Sequence, residues 1–291
     1  MLRSMKDMEG YSIGATDGII GQVKDFYFDD DTWVIRYLVV ETGAWLASRR
    51  VLISPIGIGP PNWSEKIFPV SITQEQVKGS PNLDTDKPVS RQQEMGYLGY
   101  YGYPYYWGGA GLWGGGLYPG LMIPSPDNSG ITADSRDAPT EQAKVDAETD
   151  SQRHPHLRSG NAIMKYDLHA TDGDIGHVQG LIVDDTTWAI RYLIINTSNW
   201  WLGHQVLIAP KWIGAVNWID SKVSVDLTQQ AVKDAPGYDS TSGLNREQEV
   251  RIYKHYGRVG YWYGETKHEA SAPTKHAGRP SPEVASRRDS Q

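Results

Sequence analysis

The sequence predicts a mainly β protein built from two small β-barrels, each followed by short α-helices. Three observations point there. One stretch of about a hundred residues occurs twice along the 291-residue chain, each copy reads as several short apolar strands separated by turn residues, and Gly/Pro-rich or polar sequence follows both. The expected layout is a barrel domain over 1–107, a Gly/Pro-rich acidic linker over 108–157, a second barrel domain over 158–264, and a disordered tail over 265–291.

The repeat has a single offset of 155 residues and needs no gap. Ala15-Thr16-Asp17-Gly18 returns as Ala170-Thr171-Asp172-Gly173. Asp29-Asp30, Thr32-Trp33 and Ile35-Arg36-Tyr37-Leu38 return as Asp184-Asp185, Thr187-Trp188 and Ile190-Arg191-Tyr192-Leu193. Val51-Leu52-Ile53 and Pro55 match Val206-Leu207-Ile208 and Pro210, and Asn62-Trp63 matches Asn217-Trp218. Farther on, Arg91, Gln93 and Glu94 match Arg246, Gln248 and Glu249. Roughly half the positions between Ala15 and Pro81 are identical to their counterparts. The period is too long for a solenoid, so each copy needs a core of its own.

Within a copy, Thr16-Asp17-Gly18 is a tight-turn signal ahead of an apolar run. The strands expected are 20–28, 34–40, 51–53 and 67–72 in the first copy, and 175–183, 189–195, 206–208 and 223–227 in the second. Val34–Val40 is apolar on both faces, as a central, doubly covered strand would be. Thr73 and Thr228 are placed to cap a short helical turn. Ser90 and Asn245 are placed to cap helices over 91–101 and 246–256, with Gly102 and Gly257 to end them. Several short strands without βαβ alternation indicate a small barrel or rolled sheet.

The pattern Ala-Thr-Asp-Gly-x-Ile-Gly-x-Val, Asp-Asp-x-Thr-Trp-x-Ile-Arg-Tyr-Leu and Val-Leu-Ile-x-Pro resembles the PRC-barrel domain family. That fold is seen in the cytoplasmic part of the photosynthetic reaction centre H subunit and in the C-terminal domain of a bacterial ribosome-maturation factor. The chain looks like a tandem bacterial version, and the resemblance extends over both copies. It implies protein docking rather than catalysis. A membrane helix or separate N-terminal domain ahead of the first copy is not seen in the sequence, so neither specific role is carried over.

Composition narrows the function classes. The net charge is -7, which argues against nucleic acid held through a general basic surface. Cysteine is absent, which excludes thiolate nucleophiles, disulfides and Cys-based metal sites. There is no apolar leader and no run of the ~18 apolar residues that a spanning helix needs. A cytoplasmic protein without a membrane span is the expectation.

Catalytic and cofactor signals are weak throughout. Gly109-Ala110-Gly111-Leu112-Trp113-Gly114 fits G-x-G-x-x-G in spacing, but lacks the strand before and helix after that a dinucleotide site needs. Asp29-Asp30-Asp31 and Asp184-Asp185 read as turn chemistry, since EF-hand spacing is missing. His154-Pro155-His156 falls in the linker and reads as surface histidine. We therefore expect no catalytic residues, no metal and no cofactor.

The candidate interaction residues are Trp45, Trp200, Trp201, Arg36 and Arg191. Trp45 and Trp200-Trp201 occupy equivalent loops, either as interface anchors or as lids on their own barrels. Arg36 and Arg191 sit mid-strand in apolar company and need a partner, for which the preceding Asp turn is nearest; an anion or partner contact is the alternative. A Tyr/Trp run from Tyr97 to Trp107, with a thinner counterpart from Tyr253 to Tyr263, suits inter-domain packing or partner docking. The leading expectation is a non-enzymatic scaffold with a protein partner or self-association. The alternatives are a sensor binding a small-molecule ligand or anion between the barrels, or an assembly factor of the ribosome or an electron-transfer complex.

Overall fold

A computed structural model describes residues 1–81, 89–107, 109–122, 156–197 and 205–264. It is mainly β, with two sheets of matching design. The first copy contains strands β1 (Leu2–Ser4), β2 (Ser12–Ala15), β3 (Gly18–Asp29), β4 (Val34–Thr42), β5 (Arg50–Ile53) and β6 (Ile67–Pro69). It also contains helices α1 (Met5–Met8), α2 (Gln74–Gly79) and α3 (Arg91–Tyr101). The second copy contains β7 (Leu157–Ser159), α4 (Gly160–Ile163), β8 (Asp167–Ala170), β9 (Gly173–Asp184), β10 (Ile190–Asn196) and β11 (Gln205–Ile208). It ends with β12 (Ile213–Asn217), β13 (Lys222–Val225), α5 (Gln229–Lys233) and α6 (Arg246–His255).

The helix ends follow the capping chemistry. Thr73, Ser90 and Asn245 each close a capping box, and Gly102 takes the left-handed conformation just past α3. The central position of 34–40 is also observed: β4 lies between β3 and β5 and is almost wholly buried.

The sheets are open. Their orders are β5-β4-β3-β2-β6 and β11-β10-β9-β8-β13-β12, and among the described residues neither closes into a barrel. Only the second copy has a strand at the β12 position. Pro60-Pro61 stands where the second copy has Ala215-Val216. Proline supplies no ladder N–H, and the first copy makes only the isolated bridges Ile58–Val70 and Asn62–Ile67 there.

The two copies exchange their first strands. β1, from the start of the chain, pairs with β9 of the second copy, in register Leu2–Asp184, Arg3–Val183 and Ser4–Ile182. β7 pairs with β3 of the first copy, in register Leu157–Asp29, Arg158–Phe28 and Ser159–Tyr27. The short helices follow their strands, α1 onto β9 and α4 onto β3. Each sheet is therefore completed by the strand that stands, at the offset of 155, in its mate's place.

A pseudo-twofold axis runs through the exchange. The Ile35 N–H donates to the Trp188 carbonyl at 2.9 Å, and the Ile190 N–H donates to the Trp33 carbonyl at 2.7 Å. Both tryptophans hold positive φ, 56° and 60°, which bulky residues seldom adopt. Their buried rings and these reciprocal bonds hold them there. Met5 and Gly160 are also mates, and they touch. A Cβ at Gly160 would lie 2.5 Å from Met5 Sδ, so the axis holds one large residue only because the other is glycine.

Part of the segment expected to be a mobile linker is folded onto this body. Residues 109–116 form a tight hairpin, with Gly111 N–H donating to the Gly114 carbonyl at 2.7 Å and Trp113 N–H to Gly116 at 2.9 Å. Cβ atoms on Gly109 and Gly111 would come within 2.3 Å of the facing backbone. Trp113 is 1% exposed, and the Trp113 indole donates to the Thr187 carbonyl at 2.8 Å. The composition missed this because one large aromatic supplies the burial while glycines allow the close approach. The tail over 265–291 and the linker over 123–155 lie outside the described residues. Among the described residues no helix is long and apolar enough to cross a membrane.

Two predictions follow from the exchange. Gly160→Val should cost about 1–3 kcal/mol by overpacking, and less when combined with Met5→Ala, as read from denaturant midpoints in a double-mutant cycle. Asp25 accepts the Asn161 N–H at 3.0 Å and the Ser159 hydroxyl, anchoring α4. Burial pushes the Asp25 carboxyl above its ordinary 3.8, against the hydrogen bonds from Ser159, Phe26 and Asn161. A carboxyl raised on folding contributes stability that is lost as pH rises through its folded value. Asp25→Asn should therefore gain stability relative to wild type as pH climbs from about 3.8 toward neutrality; a pH-independent difference would refute this.

Candidate interaction surface

The ionisable residues shared by the copies form two matching interior networks. In the first, Glu94 is fully buried and accepts hydrogen bonds from Tyr37 at 3.0 Å, from Arg91 at 3.2 Å and from Tyr106. In the second, Glu249 accepts from Tyr192 at 2.8 Å and Tyr261 at 2.9 Å, with Arg246 at 2.9 Å. Burial pushes Glu249 above its ordinary value, opposed by those tyrosine hydroxyls and by the arginines. It pushes the Tyr37 phenol well above its usual range, helped by Glu94.

Arg36 and Arg191 lie beside these networks. Arg36 is 2% exposed, donates to the Leu112 carbonyl at 2.6 Å and to Thr32 Oγ1 at 3.1 Å, and lies 3.8 Å from Asp29. Its guanidinium stacks over the Tyr106 ring at 4.0 Å. Arg191 donates to Asp184 at 3.0 Å and Thr187 at 3.1 Å, and stacks on Tyr261 at 4.0 Å. Burial alone would raise the Asp184 carboxyl, but Arg191 and the hydrogen bonds around it hold it below its ordinary value. The first Asp of each motif also accepts local backbone N–H groups, Asp31 and Thr32 onto Asp29 and Thr186 onto Asp184.

The second Asp of each motif has a different task. Asp30 holds Arg158 and Asp185 holds Arg3, both at 2.7 Å, so each accepts the arginine of the exchanged strand. Those arginines then cross the axis. Arg3 stacks on Trp63 at 3.4 Å, and Arg158 stacks on Trp218 at 4.5 Å. Sequence reasoning missed this pair, although Leu2-Arg3-Ser4 and Leu157-Arg158-Ser159 are themselves a repeat at the common offset.

The remaining candidates separate. Trp45 is half-buried against its own copy, and the Trp45 indole donates to the Ile20 carbonyl at 2.8 Å, as a lid does. Trp200 and Trp201 lie outside the described residues. The Tyr-rich run packs around α3: Tyr97 donates to the Leu52 carbonyl at 2.8 Å and meets Tyr37 edge-on. The expectation of a surface His156 is overturned. It is 9% exposed, with Nε2 3.0 Å from Glu94, because the backbone N–H of Asp30 binds its carbonyl and draws it in with the exchanged strand.

Two grooves flank the axis where the copies meet. The larger, about 850 Å³, is walled by Trp33 and Asp31 of the first copy and by Pro210, Ile213, Ala215 and Trp218 of the second. Arg191, Lys211 and the hairpin residues Gly109–Leu112 also line it. Arg36 is not among its walls, being covered by Leu112 and Trp113. The smaller, about 350 Å³, is walled by Pro55, Ile58, Trp63, Trp188 and the segment Tyr118-Pro119-Gly120.

Among known proteins, residues 4–62 match the PRC-barrel domain family. An uncharacterized protein of Deinococcus radiodurans is 34% identical over 79 residues, covering 27% of this chain and 28% of the relative. The match thus spans little more than a quarter of that protein's length.

The two networks differ in how far water reaches them. The Arg91 side chain is 8% exposed, whereas that of Arg246 is 54% exposed. Glu94→Ala removes the one carboxylate that buried Arg91, Tyr37 and Tyr106 all bond, and should cost about 3–5 kcal/mol. Glu249→Ala should cost less, since Arg246 is free to turn to solvent. Urea midpoints of the two variants check the order.

Proposed function

We propose that this chain, which carries a PRC-barrel domain over residues 4–62, is a non-enzymatic protein-interaction scaffold. The observation that carries the reading is the reciprocal strand exchange. It fixes two related halves in one body, so that paired surfaces face a partner at a set distance and angle. Binding by a preformed surface avoids the ordering cost that two loosely tethered domains would incur. The ionisable residues that the copies share bond to one another inside the body, which suits a frame.

Size-exclusion light scattering and affinity capture with the full chain test this. The expected result is a defined complex, with itself or with a specific protein. A strict monomer that retains no protein overturns it.

A second reading, a sensor for a small anion, is favoured by Arg191 and Lys211 on the wall of the larger groove. It predicts a melting-temperature rise with a small anionic metabolite, reversed by Lys211→Glu. A flat thermal-shift screen across anions removes it.

A further inference from the structure

We infer that the exchanged arm of the second copy, β7 with α4, is a latch that acid tightens and neutral pH loosens, whereas its mate, β1 with α1, is not. This device belongs to the frame and stands whatever the body binds.

The two junctions share one plan and differ in their side chains. Where α4 meets the first copy, two carboxyls converge on it. Asp25 of β3 accepts the Asn161 N–H at 3.0 Å and the Ser159 hydroxyl. Glu9 follows α1 and is held near Asp25, because the next residue, Gly10, donates its N–H to the Val23 carbonyl of β3 at 2.8 Å. Glu9 Oε1 is buried there without a hydrogen-bond partner. At the offset of 155 these two positions are Met164 and Gly180, so neither carboxyl is repeated at the α1 junction.

Few charges face the pair. Lys6 acts on Glu9 and Arg50 acts on Asp25, and both favour the ionised forms, as does the Asn161 side chain bonded to Glu9. Burial outweighs them. It pushes Glu9 above its ordinary 4.5, with a further push from the charge of Asp25, and it pushes Asp25 above 3.8. The arm itself covers Asp25, through Ser159 and Asn161. When the arm lifts, water reaches both groups and their ordinary ionisation returns. Carboxyls raised in the docked state therefore hold the arm in acid, and that hold is lost as pH rises through the docked values.

Other charged groups on the arms are accounted for. The Asp30–Arg158 pair on β7 is repeated on β1 as Asp185–Arg3. His156 precedes β7, lies 3.0 Å from Glu94 and has Met1 as its mate, so it is a further titratable group particular to this arm. Loosening the latch uncovers the edge of β3 at Tyr27–Asp29 and leaves the β1–β9 ladder in place, so the body opens on one side only.

Backbone hydrogen exchange of the full chain, read by mass spectrometry at about pH 4.5 and about pH 7.5 and corrected for intrinsic rates, tests this. Protection of residues 157–163 should fall about tenfold more than that of residues 2–8 as pH rises. Glu9→Gln with Asp25→Asn should remove the excess. Glu9→Gln alone, which keeps the Asp25 hydrogen bonds, should reduce it, and His156→Gln should leave it in place. Arms that respond alike in the unsubstituted chain overturn the proposal. So does an excess that the double substitution leaves whole, or one that His156→Gln abolishes.

Discussion

Everything distinctive in this molecule depends on two strands of three residues each lying in the other copy's sheet. β1 and β7 are too short to be stable alone, but each extends the edge of a twelve-residue strand and delivers an arginine. That arginine is bound by an Asp of the acceptor copy and by a Trp of its own. The contact thus has a charged part and an aromatic part, and each requires a different half. Ladder and ion pair fail together if the halves separate, which makes the body cooperative. The reciprocal bonds between Trp33 and Ile190 and between Trp188 and Ile35 then fix the angle at which the halves meet. Both grooves are consequences of that angle, because each takes walls from both copies.

The buried networks act in the same direction at a cost. Placing Arg36, Glu94 and Arg91 away from water is expensive, and an apolar substitute of equal volume would often be as stable. The network contributes geometry. Arg36 reaches the Leu112 carbonyl and lies against Trp113, whose indole reaches the Thr187 carbonyl of the second copy. A polar chain thus runs from the first network, through the hairpin, to the other side of the axis. It sets where the hairpin lies, and hence one wall of the larger groove.

The local layer of this fold was legible in the sequence. The caps at Thr73, Ser90 and Asn245, the central strand at Val34–Val40 and the mainly β class follow from short-range rules, although the sheets expected as barrels are open among the described residues. The exchange was not legible, for a physical reason. The period shows that Leu2-Arg3-Ser4 and Leu157-Arg158-Ser159 are equivalent, but equivalence is indifferent to which copy each strand joins. Strand-edge geometry decides that, and three residues carry no register signal. The Asp-Asp motif was likewise half read. Its first Asp makes the turn and faces the strand arginine, while its second waits for an arginine far away in sequence. His156 and Trp113 were misjudged by their neighbourhood, since composition averages over a window and cannot see that one side chain leaves it. At the candidate interaction surface, Arg191 was in hand, but the groove it lines is assembled from both copies and has no linear signature.

Joining the copies in one chain also permits something a symmetric pair cannot do. In a dimer of identical halves, any residue that narrowed one groove would narrow the other. Here the segment after the first copy is free to differ from the segment after the second, and Tyr118-Pro119-Gly120 lines one groove only. The same freedom lets Met5 face Gly160 across the axis, a fit that two identical residues would not make. It also lets Pro60-Pro61 interrupt one sheet while Ala215-Val216 continues the other as β12. The Asp, Arg, Glu and Tyr positions of the frame are the same in both copies, as are Trp33 and Trp188 at the axis and Trp63 and Trp218 in the grooves. Duplication kept the parts that hold the halves together, while single positions such as Met5 and Gly160 were free to differ across the axis.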